Sequence, residues 1–491
     1  MKEKYQKDLP DVDTFVDVKA ASVSIRSEDE SIPPFQKTKA EKWLVKKINM
    51  ALLPFIGAIV FIQFVDKSTL GISAVLGIIE DTHLTGSQYN WLGSFFYLGF
   101  IAFQLPNNYF LQKFPISKYL GTLLILWGIV MACTSMCTNF AQLAACRVLL
   151  GLFEAGTYPS LLIIVNTVYR RSEQSAAYGF LWFSNGAGTM LGASCAYGIS
   201  YMNNARGIET WRWPYIIWGC LTIIFGILSF FFLPDSPNSF MFRLTEEEKK
   251  IVEERTRDNA VVRVYEFKRH HIIEALKEPR LYLLCFSTLC NNLHNGGLVV
   301  FSTILVKTFG FSDQESILLQ IPMGFSAAFF AVLAVFVARK TKQLFLGVVV
   351  SSTVSLVGVI LLAVLPPSGI KLLGYFLAWA MNGTSVMLLT ITGSNVTGYT
   401  KKIFYNGMNM IFYTLGNFIG PLVMLAEEAP VYQTGMIIYC IGNGAIIVMI
   451  FVNRQIMARK NKIRLNNPSD VIFDVKDDLT DRENHNFIYK L

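Results

Sequence analysis

The chain has 491 residues, of which 53% are hydrophobic, 13% aromatic and only 16% charged. Whole windows such as 120–132 and 348–365 carry no charge, which excludes a soluble multidomain protein and describes a polytopic membrane protein in a lipid bilayer. The net charge of +8 does not describe a nucleic-acid face, because the basic residues lie in short clusters between apolar runs and at the two ends.

Residues 1–48 are polar and mixed in charge, and "SEDESIPP" interrupts any helix, so they read as a disordered cytoplasmic tail ending in a basic flank at Lys42, Lys46 and Lys47. Nothing in the tail has the pattern of a cleaved signal. Twelve spans follow, predicted at 50–72, 88–109, 117–136, 140–165, 174–201, 212–233, 281–306, 313–338, 344–365, 370–393, 403–425 and 432–453. They form an N-terminal bundle (49–233) and a C-terminal bundle (281–453), separated by a cytoplasmic connection (234–280) and followed by a cytoplasmic tail (454–491). Within the connection "TEEE", Thr245 to Glu248, predicts a capping box opening a short amphipathic helix.

Orientation follows from the basic residues. The connections after even-numbered spans carry Lys113, Lys118, Arg170, Arg171, Arg339, Lys340, Lys342, Lys401 and Lys402, against Arg206, Arg212, Lys307 and Lys371 on the other side. Twelve spans with both termini cytoplasmic satisfy the positive-inside tendency. The sequon at Asn395 then lies at the cytoplasmic end of the tenth span, out of reach of glycosylation. The eight cysteines have neither zinc-ligand nor disulfide-framework spacing and read as packing residues. No metal, cofactor or nucleophile–base motif is legible, so the chain reads as no enzyme.

Charges inside the spans are the functional signal, since each costs about 2.5–3.5 kcal/mol at a helix centre. The first span carries Asp66 beside Lys67. The fourth carries Arg147 and Glu154, seven residues apart and therefore on one helical face. Counted from the outer end, Asp66, Lys67 and Arg147 share a depth, with Glu154 about 10 Å deeper. Because adjacent residues on a helix diverge by about 100°, Asp66 is expected to pair with Arg147, leaving Lys67 to face a cavity and an anionic substrate. Glu154, near the midplane with few close cations, is expected to carry the proton. An ion-pair network that only fixes helix packing is the competing reading of these four residues.

The matching spans of the second half carry amides: "CNNLHNGG" with Asn291, Asn292 and Asn295, and "WAMNGTS" with Asn382. In the eleventh span Tyr405, Asn409, Tyr413 and Asn417 recur every four residues, which makes one polar and aromatic face, either cavity-lining or helix-bonding. Asn292, Asn295, Asn382, Asn409 and Tyr413 are the second half's candidate substrate contacts. His294 reads as a hydrogen-bonded packing group, with a proton relay as the alternative, and the small residues of "SNGAGTMLGAS" as a close helix contact.

These motifs together resemble the fungal allantoate permease family, in the anion:cation symporter branch of the major facilitator superfamily. The resemblance is carried by "FVDKSTLG", "RVLLGLFEAGTYPS", "WRWPYIIWGCLTIIFGILSFFFLPDSP", "EALKEPRLYLLCF", "NNLHNGG" and "SNVTGYTKK", from about Lys46 to Arg459. It implies an all-α fold of two pseudo-symmetric six-helix halves and a secondary transporter of small organic anions, commonly coupled to protons. In bacterial relatives the acid and base of the first span and the arginine and glutamate of the fourth bind substrate and couple protons. That maps onto Asp66, Lys67, Arg147 and Glu154. Two departures stand out. Lys67 replaces the usual arginine and cannot form a bidentate fork with a carboxylate, and "PNNYFLQKFPISKYLG" replaces the usual glycine and Asp-Arg pair after the second span. The expectation is proton-coupled uptake of a carboxylate, vitamin-like or ureido acid by a monomer at the plasma membrane, or at an internal membrane such as the endoplasmic reticulum or vacuole. A transporter-like nutrient receptor and an anion exchanger or efflux carrier are the alternatives.

Overall fold

The structure, a computed structural model, describes residues 39–202, 205–259, 268–467 and 478–491. Of the tail expected to be disordered, 1–48, residues 1–38 lie outside the described residues, and 39–48 are instead helical. The regular elements among those described are helices. The first half comprises α1 (Lys39–Val75), α2 (Gly86–Lys113), α3 (Ile116–Thr134), α4 (Phe140–Glu154), α5 (Thr157–Val168), α6 (Arg171–Ser200) and α7 (Arg212–Phe232). Two shorter helices, α8 (Glu246–Asn259) and α9 (Arg269–Leu276), belong to the central segment. The second half comprises α10 (Pro279–Thr308), α11 (Asp313–Leu318), α12 (Gln320–Thr341), α13 (Leu344–Val364), α14 (Lys371–Ala378), α15 (Met381–Asn395), α16 (Tyr399–Ile419) and α17 (Gln433–Asn466). Among the described residues nine segments are long and apolar enough to cross a membrane, with α4–α5, α11–α12 and α14–α15 each acting as one. α2, α6 and α16 are comparably long and richer in glycine and amide side chains.

Both bundles extend beyond the apolar runs that define them in the sequence. α1 begins at Lys39 because Glu41, Leu44, Ile48 and Leu52, spaced by three and four, are buried on one face. The charged residues between them hide that face from a hydropathy reading. α17 continues to Asn466, with Met457 and Asn461 buried. In the central segment, the capping box forms: the Glu248 amide donates to Thr245 Oγ1 and Glu248 Oε2 accepts from the Thr245 amide at 2.9 Å.

The fourth apolar segment breaks between α4 and α5, at Ala155 and Gly156. Pro159 has no amide hydrogen to offer the Ala155 carbonyl, so the ladder is interrupted there. The tenth segment is also broken, between α14 and α15. α4 is held hard against α2: a Cβ on Gly151 would lie 1.8 Å from the Phe96 carbonyl, and one on Gly99 1.9 Å from that of Val148.

The halves meet at the end remote from the central segment. There Tyr89 donates to the Val300 carbonyl at 3.0 Å, Asn90 to Met424 at 2.6 Å, Ser94 to Phe418 at 2.7 Å and Thr303 to Gly71.

At the other end each half is clamped by the segment that follows it. Arg255 of α8 donates to Glu41 of α1 at 3.1 Å and to Glu173 of α6 at 2.5 Å. In the second half Asp481, from the terminal segment, pairs with Arg280 of α10 and with Lys401 of α16 at 2.7 Å. The arrangement repeats with the charges exchanged, a cation between two acids in one half and an acid between two cations in the other. The terminal segment is thus no free tail. Asn395 is fully buried beneath it, exchanging two hydrogen bonds with the Lys490 backbone.

Candidate functional site

α1 carries Asp66 and Lys67 nine and eight residues before its end at Val75, and α4 carries Arg147 seven residues after its start at Phe140. The three lie at comparable distances from those helix ends. The partners differ from the expected ones. Lys67 Nζ lies 2.9 Å from Glu154 Oε1, with the carboxylate wholly buried. The same oxygen accepts from Gln63 Nε2 at 2.6 Å, one turn earlier on α1. Glu154 is the last residue of α4, so the pair sits at the helix break. The lysine stem spans the axial offset that separates Lys67 from Glu154, which is why a depth count alone did not join them.

Asp66, expected to bond Arg147, instead accepts the indole N–H of Trp127, on α3, at 2.9 Å. Arg147 donates to the Tyr215 hydroxyl, on α7, at 3.1 Å. The two charges still act on one another through space, without a direct hydrogen bond. Three of the four groups are buried, with Asp66 1% and Arg147 4% exposed and Glu154 fully enclosed, and Lys67 is half-buried beside them. Their formal charges sum to zero, and the second oxygens of both carboxylates, Asp66 Oδ1 and Glu154 Oε2, lack hydrogen-bond partners among the described residues.

Tyr97, Tyr158 and Tyr413 lie within electrostatic reach of Lys67. Tyr413 comes from α16, so the second half approaches the lysine through a phenol. The amides are largely occupied. Asn295 donates to Asn417 at 2.8 Å and Asn417 to Asn292 at 3.1 Å, a chain that ties α10 to α16. Asn409 is buried and bonded to Thr392 and Thr288. Asn382, at the start of α15, donates to the Trp379 carbonyl in the break of the tenth segment and remains part-exposed. Tyr405 is drawn away to the terminal clamp, bonding Glu278 at 2.6 Å. His294 stacks on Tyr439 and contacts Ser355 at 3.3 Å, a packing group as its sequence setting implied.

Gln63, Trp127 and Tyr215 escaped the sequence reading. Gln63 had a signal, a lone amide in "VFIQFVDK" one turn before Lys67. Trp127 and Tyr215 are ordinary aromatics in apolar runs, and only the approach of α3 and α7 gives them a role.

The Major Facilitator Superfamily model matches residues 56–421. An uncharacterized transporter of Schizosaccharomyces pombe is 34% identical, with 94% of this chain and 93% of that protein covered. The allantoate permease of Saccharomyces cerevisiae is 30% identical over 91% of this chain and 86% of its own, and that organism's thiamine pathway transporter 29% over the same shares. Among solved structures, a bacterial homologue of the human lysosomal transporter Spinster, inward-facing and unoccupied, superposes with a TM-score of 0.62 at 14% identity, covering 86% of this chain and 96% of that one. A D-xylose-proton symporter gives 0.61 at 15% identity, covering 84% and 97%.

Proposed function

The chain belongs to the major facilitator superfamily, multi-pass membrane transporters rather than enzymes, and from that membership we propose that it carries a small organic anion together with a proton. The observation that carries this reading is the Lys67–Glu154 pair, 2.9 Å apart, with the carboxylate fully buried and the lysine largely so.

A lysine largely withdrawn from water is stabilised by a counter-charge. In the present arrangement Glu154 supplies it. If Glu154 takes up a proton, Lys67 loses that partner, and the carboxylate of a substrate can replace it. Proton and anion then enter together, and the site's net charge is unchanged at zero. When Glu154 releases its proton it reclaims Lys67 and expels the anion. Each species is bound only when the other is present, which is the requirement for symport.

Asp66 and Arg147, each with a neutral hydrogen-bond donor or acceptor of its own, keep their charges throughout and hold the potential around the switching pair. Tyr413, within electrostatic reach of Lys67, contacts the substrate from the second half, and Asn295 and Asn382 are that half's further contacts. Asn292 and Asn409 act by holding α15 and α16 in place. Twelve spans with the central segment and both termini cytoplasmic fit the basic residues at that end. In that orientation the hydrogen bonds between the halves close the outer side, an inward-facing state in which Glu154 has reclaimed Lys67. We place the protein at the plasma membrane as a monomer. The allantoate permease among its relatives supports a carboxylate or ureido acid as substrate.

The test is uptake into vesicles under an imposed pH gradient, acidic outside, with a panel of carboxylates and ureido acids. Accumulation that follows the gradient in the wild type and vanishes in E154Q is the expected result. Accumulation that persists in E154Q removes the coupling role.

A further inference from the structure

We propose that His270, His271 and Glu483 form a binding site for a divalent transition metal of the zinc class, clipping the terminal segment to α9 under the second half. One nitrogen from each imidazole and one carboxylate oxygen all lie within 4.8 Å of one another. His270 Nε2 is 3.4 Å from Glu483 Oε1, and His271 Nε2 is 3.6 Å from Glu483 Oε2. Ligands about 2.0–2.2 Å from a tetrahedral zinc stand at nearly these separations from each other.

A second observation points to a ligand independently. His271 is fully buried, and neither of its ring nitrogens has a hydrogen-bond partner among the described residues. A buried imidazole with both nitrogens unsatisfied is costly. Its Nδ1 side is closed by Gly398, where a Cβ would lie 3.3 Å from the ring and where φ of +85° already favours glycine. Its Nε2 lies 3.6 Å from Glu483 Oε2, beside the exposed ring of His270, and a metal would enter from the His270 side with a water as fourth ligand. Two imidazoles with one carboxylate suit zinc, nickel or copper and not the oxygen-seeking magnesium or calcium. The neighbouring acidic cluster of Glu274, Glu278 and Asp481 is not such a site, because the Lys401 ammonium bonds all three carboxylates at 2.7–2.8 Å.

The site joins parts of the chain more than two hundred residues apart, so metal binding would fasten the terminal segment in place. Co2+ titrated into the purified full-length protein, prepared without a polyhistidine tag, reads it out. One saturable equivalent with the visible spectrum of tetrahedral cobalt, displaced by Zn2+, is expected. Affinity should fall about tenfold or more in H270A and in E483Q, with gel filtration unchanged, since both side chains are at least partly exposed. H485A should bind as the wild type does. Zn2+ should also slow tryptic cleavage at the exposed Arg482, and not in E483Q. No saturable spectrum in the wild type, wild-type affinity in H270A or E483Q, or cleavage indifferent to Zn2+ would overturn the site.

Discussion

Lys67 of α1 and Glu154 of α4 face each other at 2.9 Å across the point where the fourth apolar segment breaks. Gln63 contributes a second bond to the same carboxylate oxygen. The pair makes one side chain's proton and another's counter-ion mutually dependent, and the first prediction follows from that dependence.

In E154Q the glutamine cannot take up or release a proton, so substrate and proton movements come apart. Counterflow exchange of labelled for unlabelled substrate should continue, while pH-driven accumulation, which for one proton per substrate reaches about tenfold per pH unit, should fall to equilibration. Vesicles assayed in both modes check this. Loss of both activities with normal membrane insertion would mean that Glu154 serves substrate binding itself.

K67A leaves Glu154 buried without its cation and removes the anion's partner. Binding of a carboxylate substrate should weaken by about 1.5–3 kcal/mol, as for loss of a hydrogen bond to a charged group. K67R keeps the charge and should recover most of the affinity. Isothermal titration at fixed pH measures both, and unchanged affinity in K67A would remove Lys67 from the site.

G151A tests the support beneath the site. A methyl group there would lie 1.8 Å from the Phe96 backbone carbonyl, where no rotamer can yield, so α2 and α4 must separate. A loss of about 3 kcal/mol is expected, read as a lower thermal midpoint of the purified protein. Transport should fall with it, because α4 carries both Arg147 and Glu154.

The terminal clamp gives a prediction in pH. Burial works against the Asp481 carboxylate, but the positive charges of Arg280 and Lys401 outweigh it and hold the carboxyl down at about 2. A group with a lowered folded value contributes its full stabilisation above its unfolded value of 3.8 and loses it as the pH falls through about 2. The segment should therefore stay docked at neutral pH and release only in that acidic window. D481A removes an acid lying between two buried cations and should cost about 3–5 kcal/mol, visible as faster proteolysis of residues 478–491 at pH 7.

Membrane class, the family's motifs, the four charged positions and the Thr245 capping box could all be read in the sequence. They depend on composition, short spacings and local hydrogen bonds, and these do not change with the rest of the fold. The start of α1 is less legible: its buried face is a spacing of three and four in which Lys42, Lys46 and Lys47 mask the apolar positions.

Partner choice belonged to the tertiary structure. Whether Lys67 meets a cavity or Glu154, and whether Asp66 meets Arg147 or Trp127, depends on how α1, α3, α4 and α7 are rotated and set against one another. Backbone contacts such as that of Gly151 with Phe96 and the break before Pro159 decide those rotations, and neither is visible in a one-dimensional count of depth. The terminal segment shows the same limit. Asp481 has no apolar periodicity around it, yet it is fully buried, where it joins Glu278 in pairing with two cations 80 and 201 positions earlier in the chain. The sequence by itself determined which charges must be buried; the fold alone decided which of them neutralise one another, because that depends on distances between helices.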